Sequence, residues 1–223
     1  MNIPGALLDG TLQTLAWALW LLVILRCLWR APWRHLSKSA HLNLFLGMLV
    51  ALSVFWRFEV GVQPGLHLHL LGAALVTLAF GPQLAFIALN IVVGVVMLSG
   101  GGDPGGFAIN SLVMAGTAVG LTHLAWRLLD QYLPKNLFIY LFGLGFFAAG
   151  VSVACVGLLA ALLLNISGTY TWPYLVEHYL PYCVLLAFAE GWLTGIITTV
   201  FVVYCPGWMI TFDDEEYLRR RSS

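Results

Sequence analysis

Two imidazoles, His67 and His69, stand two residues apart in Gly65-Leu-His-Leu-His-Leu-Leu-Gly72, where a hydrophobic run opens. Ionisable side chains at membrane depth are costly, and they usually mark a ligand site or a transport path. Neutral imidazole is a good ligand for nickel, cobalt, copper and zinc. Side chains at i and i+2 share one side of an extended segment but oppose each other on a helix. Pro64 and Gly65 favour a non-helical start, so both rings could converge just before a helix begins. The other reading is a pair of interfacial histidines bonded to carbonyls.

The N-terminal peptide Met1-Asn-Ile-Pro4 offers more nitrogen. An α-amine has an ordinary pKa of about 7.7–8.0, so a metal can take its proton's place near neutral pH. The Asn2 amide nitrogen is one chelate ring away, and Pro4 ends the run because it has no N–H. Amine, amide and one or two imidazoles make a nitrogen-rich, near-planar set that suits Ni(II) or Cu(II), and Co(II) as well. The other reading is a frayed terminus. No basic residue precedes the first apolar run and no small-residue cleavage site follows it, so Met1 is expected to stay.

Glu190 is the only acid well inside an apolar run, in Ala187-Phe-Ala-Glu-Gly-Trp-Leu-Thr-Gly195. A transport-path role competes with a structural one, in which the carboxyl bonds backbone or Thr194 between helices. Gly191 and Gly195 at i and i+4 form a close-packing face. Asn90 and Asn110 are amides in apolar runs that need partners. His41, His123 and His178 are expected at interfaces, and His35 in solvent. Cys27, Cys155, Cys183 and Cys205 show no CxxC spacing and read as small hydrophobes. Walker, HExxH and GxSxG motifs are absent, which argues against ATP hydrolysis by this chain and against an enzyme of the soluble type.

These residues must be positioned by membrane helices. The chain is 61% hydrophobic and 9% charged over 223 residues, where a soluble domain carries roughly 25% charged residues. Its formal net charge is zero, so no nucleic-acid surface is implied. Apolar runs extend over 11–29, 42–56, 67–80, 83–99, 107–129, 137–164 and 175–204. The third and fourth are short and separated by Gly81-Pro82, so six spans are possible if they form a re-entrant pair. Pro181 either kinks the last run or marks its start.

Seven spans with the N-terminus outside place Arg26, Arg30, Arg34, Lys38, Arg127, Lys135, Arg219, Arg220 and Arg221 in the cytoplasm and leave only Arg57 outside. The expected fold is a single all-α integral membrane bundle over 1–223. Its C-terminus is cytoplasmic, ending in the solvated tail 213–221.

The order of these features resembles the CbiM/NikM family, the substrate-binding membrane component of cobalt and nickel energy-coupling-factor transporters. Met1-Asn2-Ile3-Pro4 corresponds to its Met-His-Ile-(Pro) start, and Gly65, His69 and Gly72 to its Gly-x-x-x-His-x-x-Gly element. Gly81-Pro82 follows as in the family. The glycine-rich turn 100–106 then leads into Ala108-Ile-Asn110-Ser-Leu-Val113-Met114, and Glu190, Gly191, Thr194 and Gly195 match a Glu-Gly-x-x-Thr-Gly helix. Two positions depart: Asn2 replaces a His, and Val113 replaces a second Asn.

The resemblance implies that the N-terminus folds back into the bundle from outside. Met1, Asn2 and His69, with His67 as an added imidazole, would then hold the metal, and Asn110, Glu190 and Thr194 would serve structure or the path. It implies uptake of a divalent transition metal, Ni or Co, across the inner (plasma) membrane, to which the nitrogen-rich ligand set adds Cu. The metal is the substrate, no organic cofactor is needed, and a coupling protein and cytoplasmic ATPases supply energy. Small-residue faces such as Gly191/Gly195 would meet the coupling protein. The rivals are a stand-alone permease for another small ligand, and a membrane scaffold or metal-site assembly protein.

Overall fold

The computed structural model describes residues 3–7, 9–61, 63, 66–101 and 103–218. A short turn, Gly5–Leu7, precedes α1 (Gly10–Arg30) and α2 (Ser39–Phe55). Strands β1 (Val60–Gly61) and β2 (His67–Leu68) pair antiparallel, with Gly61 opposite His67. Then come α3 (Ala73–Gly100), α4 (Pro104–Tyr132), α5 (Leu137–Ile166), the short α6 (Trp172–His178), α7 (Leu180–Tyr204) and α8 (Asp214–Leu218). Five of these, α1, α3, α4, α5 and α7, are long and apolar enough to cross a membrane, whereas α2 has 17 residues. The chain is an all-α, multi-pass membrane bundle.

The bundle is built around α3, which is buried along most of its length, whereas α1 buries only Ala16. Large apolar side chains such as Leu22, Val50, Val184 and Phe188 stay exposed, which suits a lipid-facing surface.

The third and fourth apolar runs form the two arms of α3. Gly81 separates them at φ 79° and ψ 166°, a conformation open essentially only to glycine, with Pro82 next. As one straight rod, α3 would hold Ala73 and Met97 about 36 Å apart. Instead His69 and Met97 line one cavity with Trp56, while Pro82 shares a groove with Arg30 at the far end of α1. The chain therefore doubles back at Gly81.

The first arm departs from the expected helix over 67–80, because its helical part begins only at Ala73. Gly72, left-handed at φ 64°, makes the transition, and a side chain there would strike Leu52. At the other end of this arm the carbonyls of Leu78 and Ala79 accept the N–H groups of Thr211 and Ile210, and the Thr211 hydroxyl adds a bond to Leu78. Those bonds satisfy groups that the break would otherwise leave orphaned. Tyr140 bonds the same hydroxyl at 2.7 Å, and Lys135 pairs with Asp130 and with Glu216 of α8, tying down the tail as far as residue 218.

One other sequence expectation fails at this end: His35 is half-buried and stacks at 4.1 Å on His41, whose Nε2 lies 2.9 Å from the Gly207 carbonyl, rather than lying in solvent. Burial and the neighbouring His41 and Lys38 charges pull the His35 pKa down.

Gly191 and Gly195 are used inside the protein. A methyl on Gly191 would lie 2.8 Å from the Phe146 carbonyl, and Gly145 packs against the Gly195 backbone. This face is spent on α5, so it offers nothing to a partner. The separate α6 and a first-turn Pro181 set the start of α7 at Leu180 rather than 175.

Candidate metal site

The N-terminal segment is folded back into one end of the bundle. Asn110 grips the Ile3 peptide from both sides: its Oδ1 accepts the Ile3 N–H at 2.8 Å and its Nδ2 donates to the Ile3 carbonyl at 2.9 Å. Ile3 itself is 1% exposed. The next residues lie directly on the turn before α4. A methyl on Gly5 would meet the Gly105 carbonyl carbon at 2.4 Å, and one on Gly106 would meet the Ile3 oxygen at 2.3 Å. Only paired glycines allow so close an approach. Asp103 completes the seat, taking the Gly105 N–H on one oxygen and the Ala6 N–H on the other. Gln13 ties the Gly5 carbonyl to α1.

Beside this seat is a cavity of about 20 Å³, lined by Trp56, Glu59, His69, Val93, Val96, Met97, Asn110 and Met114. A space of that size holds a single water-sized occupant. His69 is buried at 5% exposure beneath Trp56, whose ring lies 4.5 Å away. Its Nδ1 lies 3.2 Å from the Leu70 carbonyl; a proton there leaves the Nε2 lone pair as the ligating atom. A neutral, oriented imidazole is the form a metal ion takes.

The two histidines do not share the cavity. His67 turns to Glu59, with Nδ1 3.5 Å from the carboxylate, and is not among the cavity-lining residues. Glu59 touches both. Met1 and Asn2 lie outside the described residues. Among the described residues no three His, Cys, Asp or Glu converge as a metal cluster, so ligands for an ion beside His69 have to come from other groups.

Glu190 lies deeper, on α7. It accepts the N–H groups of Leu71 and Gly72 at 2.8 and 2.6 Å. Of its two expected partners, the structure supplies backbone rather than Thr194. Thr194, one turn on, is buried against a second cavity of about 100 Å³ that Glu190 also lines. Asn90 bonds the Trp20 indole at 2.6 Å and joins α1 to α3.

Sequence reasoning passed over Trp56, Glu59, Met97, Asp103 and Met114. Glu59 and Asp103 carried a signal, as isolated acids in short polar loops between apolar runs. Met97 carried none, since a thioether in a helix reads as core, and Met114 stood only at the end of the Asn110 segment.

The family model for the cobalt uptake substrate-specific transmembrane region matches residues 2–208. One solved structure, of a truncated transition metal transporter, is 19% identical with a TM-score of 0.76; the match covers 92% of this chain and 99% of that one. A second, of a transition metal transporter, is 18% identical with a TM-score of 0.75 and coverages of 90% and 92%. No curated protein matches significantly. At these identities the two structures share the fold, and the family model identifies the chain as a member of the CbiM cobalt uptake substrate-specific transmembrane family.

Proposed function

We propose that this chain captures a divalent transition metal ion at the outer mouth of its bundle for uptake across the inner membrane. The observation that carries the reading is the clamp of Asn110 on the Ile3 main chain beside the His69 cavity. Residue 1 is two residues from Ile3 and within about 7 Å of it at full extension. The Met1 amine and the Asn2 nitrogen can therefore reach the cavity and complete a nitrogen set with His69. His67 acts one layer out, through Glu59. The cavity wall of imidazole, indole, thioethers and a single carboxylate favours nickel, cobalt or copper over magnesium or calcium.

With the first arm of α3 crossing partly as extended chain, the protein crosses seven times. Its N-terminus is outside, and basic residues gather at the cytoplasmic end. A reporter active only in the cytoplasm, fused after Ser223, should give signal; signal only from a periplasmic reporter would refute this orientation. The family resemblance implies that separate coupling and ATPase subunits supply the energy, in keeping with a chain that carries no nucleotide motif of its own.

Equilibrium dialysis of the purified chain against nickel, cobalt, copper and magnesium tests the capture itself. Retention of about one transition-metal ion per chain, with magnesium excluded, is expected. No retention of any of the transition metals would leave only a scaffold or a permease for another ligand.

A further inference from the structure

We propose that Glu190 is a positioning residue for metal capture, whose carboxylate fixes the extended chain that presents His69 to the mouth cavity. This rests on the reading of His69 as a metal ligand.

Between Leu66 and Gly72 the chain leading into α3 is not helical, so its backbone groups lack the partners a helix would supply. In a membrane-embedded bundle such groups must be satisfied from elsewhere. Glu190 gives one oxygen to the Leu71 N–H and the other to the Gly72 N–H, two and three residues beyond His69. From the opposite side the Trp56 indole donates to the Leu71 carbonyl at 3.2 Å while its ring covers His69. The Leu71 peptide is thus held at both ends, and His69 lies between that anchor and the β2 ladder.

The chemistry calls for a carboxylate. Both amides need acceptors, and the side-chain amide of glutamine supplies one acceptor and one donor. The helical part of the arm begins at Ala73, so the positive end of its dipole also faces Glu190. No cation among the described residues pairs with this acid, and it is 2% exposed. Its two oxygens are therefore met by two backbone N–H bonds and a helix end. The same occupancy disfavours a transport-path role, because both oxygens already hold fixed partners.

The test uses the full chain in detergent, titrated with nickel and followed by hydrogen–deuterium exchange. Glu190→Gln is expected to weaken nickel binding by about 10–100-fold, the usual cost of removing an outer-shell support. Elution volume should not change, and the peptide containing Leu71 and Gly72 should exchange faster. In a His69→Ala background the same substitution should leave residual nickel affinity unaltered, because its effect passes through His69. Trp56→Phe, which removes only the opposite anchor, should weaken nickel binding in the same direction; it serves as the second variant if Glu190→Gln does not fold.

Wild-type affinity and unchanged exchange in Glu190→Gln would overturn the proposal, as would an equal loss in the His69→Ala background. If the unmodified chain holds no nickel, cobalt or copper, the capture reading fails on its own. Exchange at Leu71 and Gly72 would then still decide whether Glu190 fixes the segment.

Discussion

Replacing His69 by alanine is expected to lower nickel or cobalt affinity by more than about 100-fold while the bundle stays folded. Losing an outer-shell partner alone costs about 10–100-fold, and loss of the imidazole itself must exceed that. Among the described residues His69 is the one imidazole lining the mouth cavity, and no second ring there stands ready to replace it. Some stability will also be lost, since the ring packs beneath Trp56. Affinity therefore has to be compared at equal monodispersity. Isothermal titration of both chains is the check, and near-equal affinities would remove His69 from the site.

Gly106→Ala should weaken binding comparably without touching any proposed ligand. The new methyl would lie 2.3 Å from the Ile3 carbonyl oxygen and 3.2 Å from the Gly5 nitrogen. Both are backbone atoms and cannot turn aside, so the N-terminal segment must leave its seat. Asn110 would then lose its two bonds to Ile3, each worth about 0.5–1.5 kcal/mol net. Gly105 makes a useful control: the atoms nearest to a methyl there belong to the Asp103 side chain, from 3.4 Å, so Gly105→Ala should keep most of the affinity. A Gly106→Ala chain that binds as tightly as the native one would show that the seated N-terminus contributes nothing to binding.

Much of this fold can be read from the chain because its signals are local. Long apolar runs announce α1, α4, α5 and α7, and Gly81-Pro82 announces the reversal within α3. The failures are non-local. The helical part of the first arm starts at Ala73, not at 67, because Glu190, 119 residues from Leu71, supplies the acceptors that let the backbone stay extended. Backbone amides carry no residue code, so spacing could not reveal that partner. The grip of Asn110 on Ile3 spans 107 residues and is equally silent. Gly191 and Gly195 were legible as a close-packing face, but such a face does not name its neighbour, which proves to be α5. His67 and His69 were legible as a pair. What separates them is Glu59 across a two-residue ladder, where His67 finds a carboxylate and His69 an indole.

The most direct test of the capture site is X-ray absorption on the chain loaded with one equivalent of nickel or cobalt. The account predicts a first shell dominated by nitrogen, with multiple scattering from a histidine ring that disappears in His69→Ala. A shell of oxygen alone, or an imidazole signal that survives His69→Ala, would contradict it.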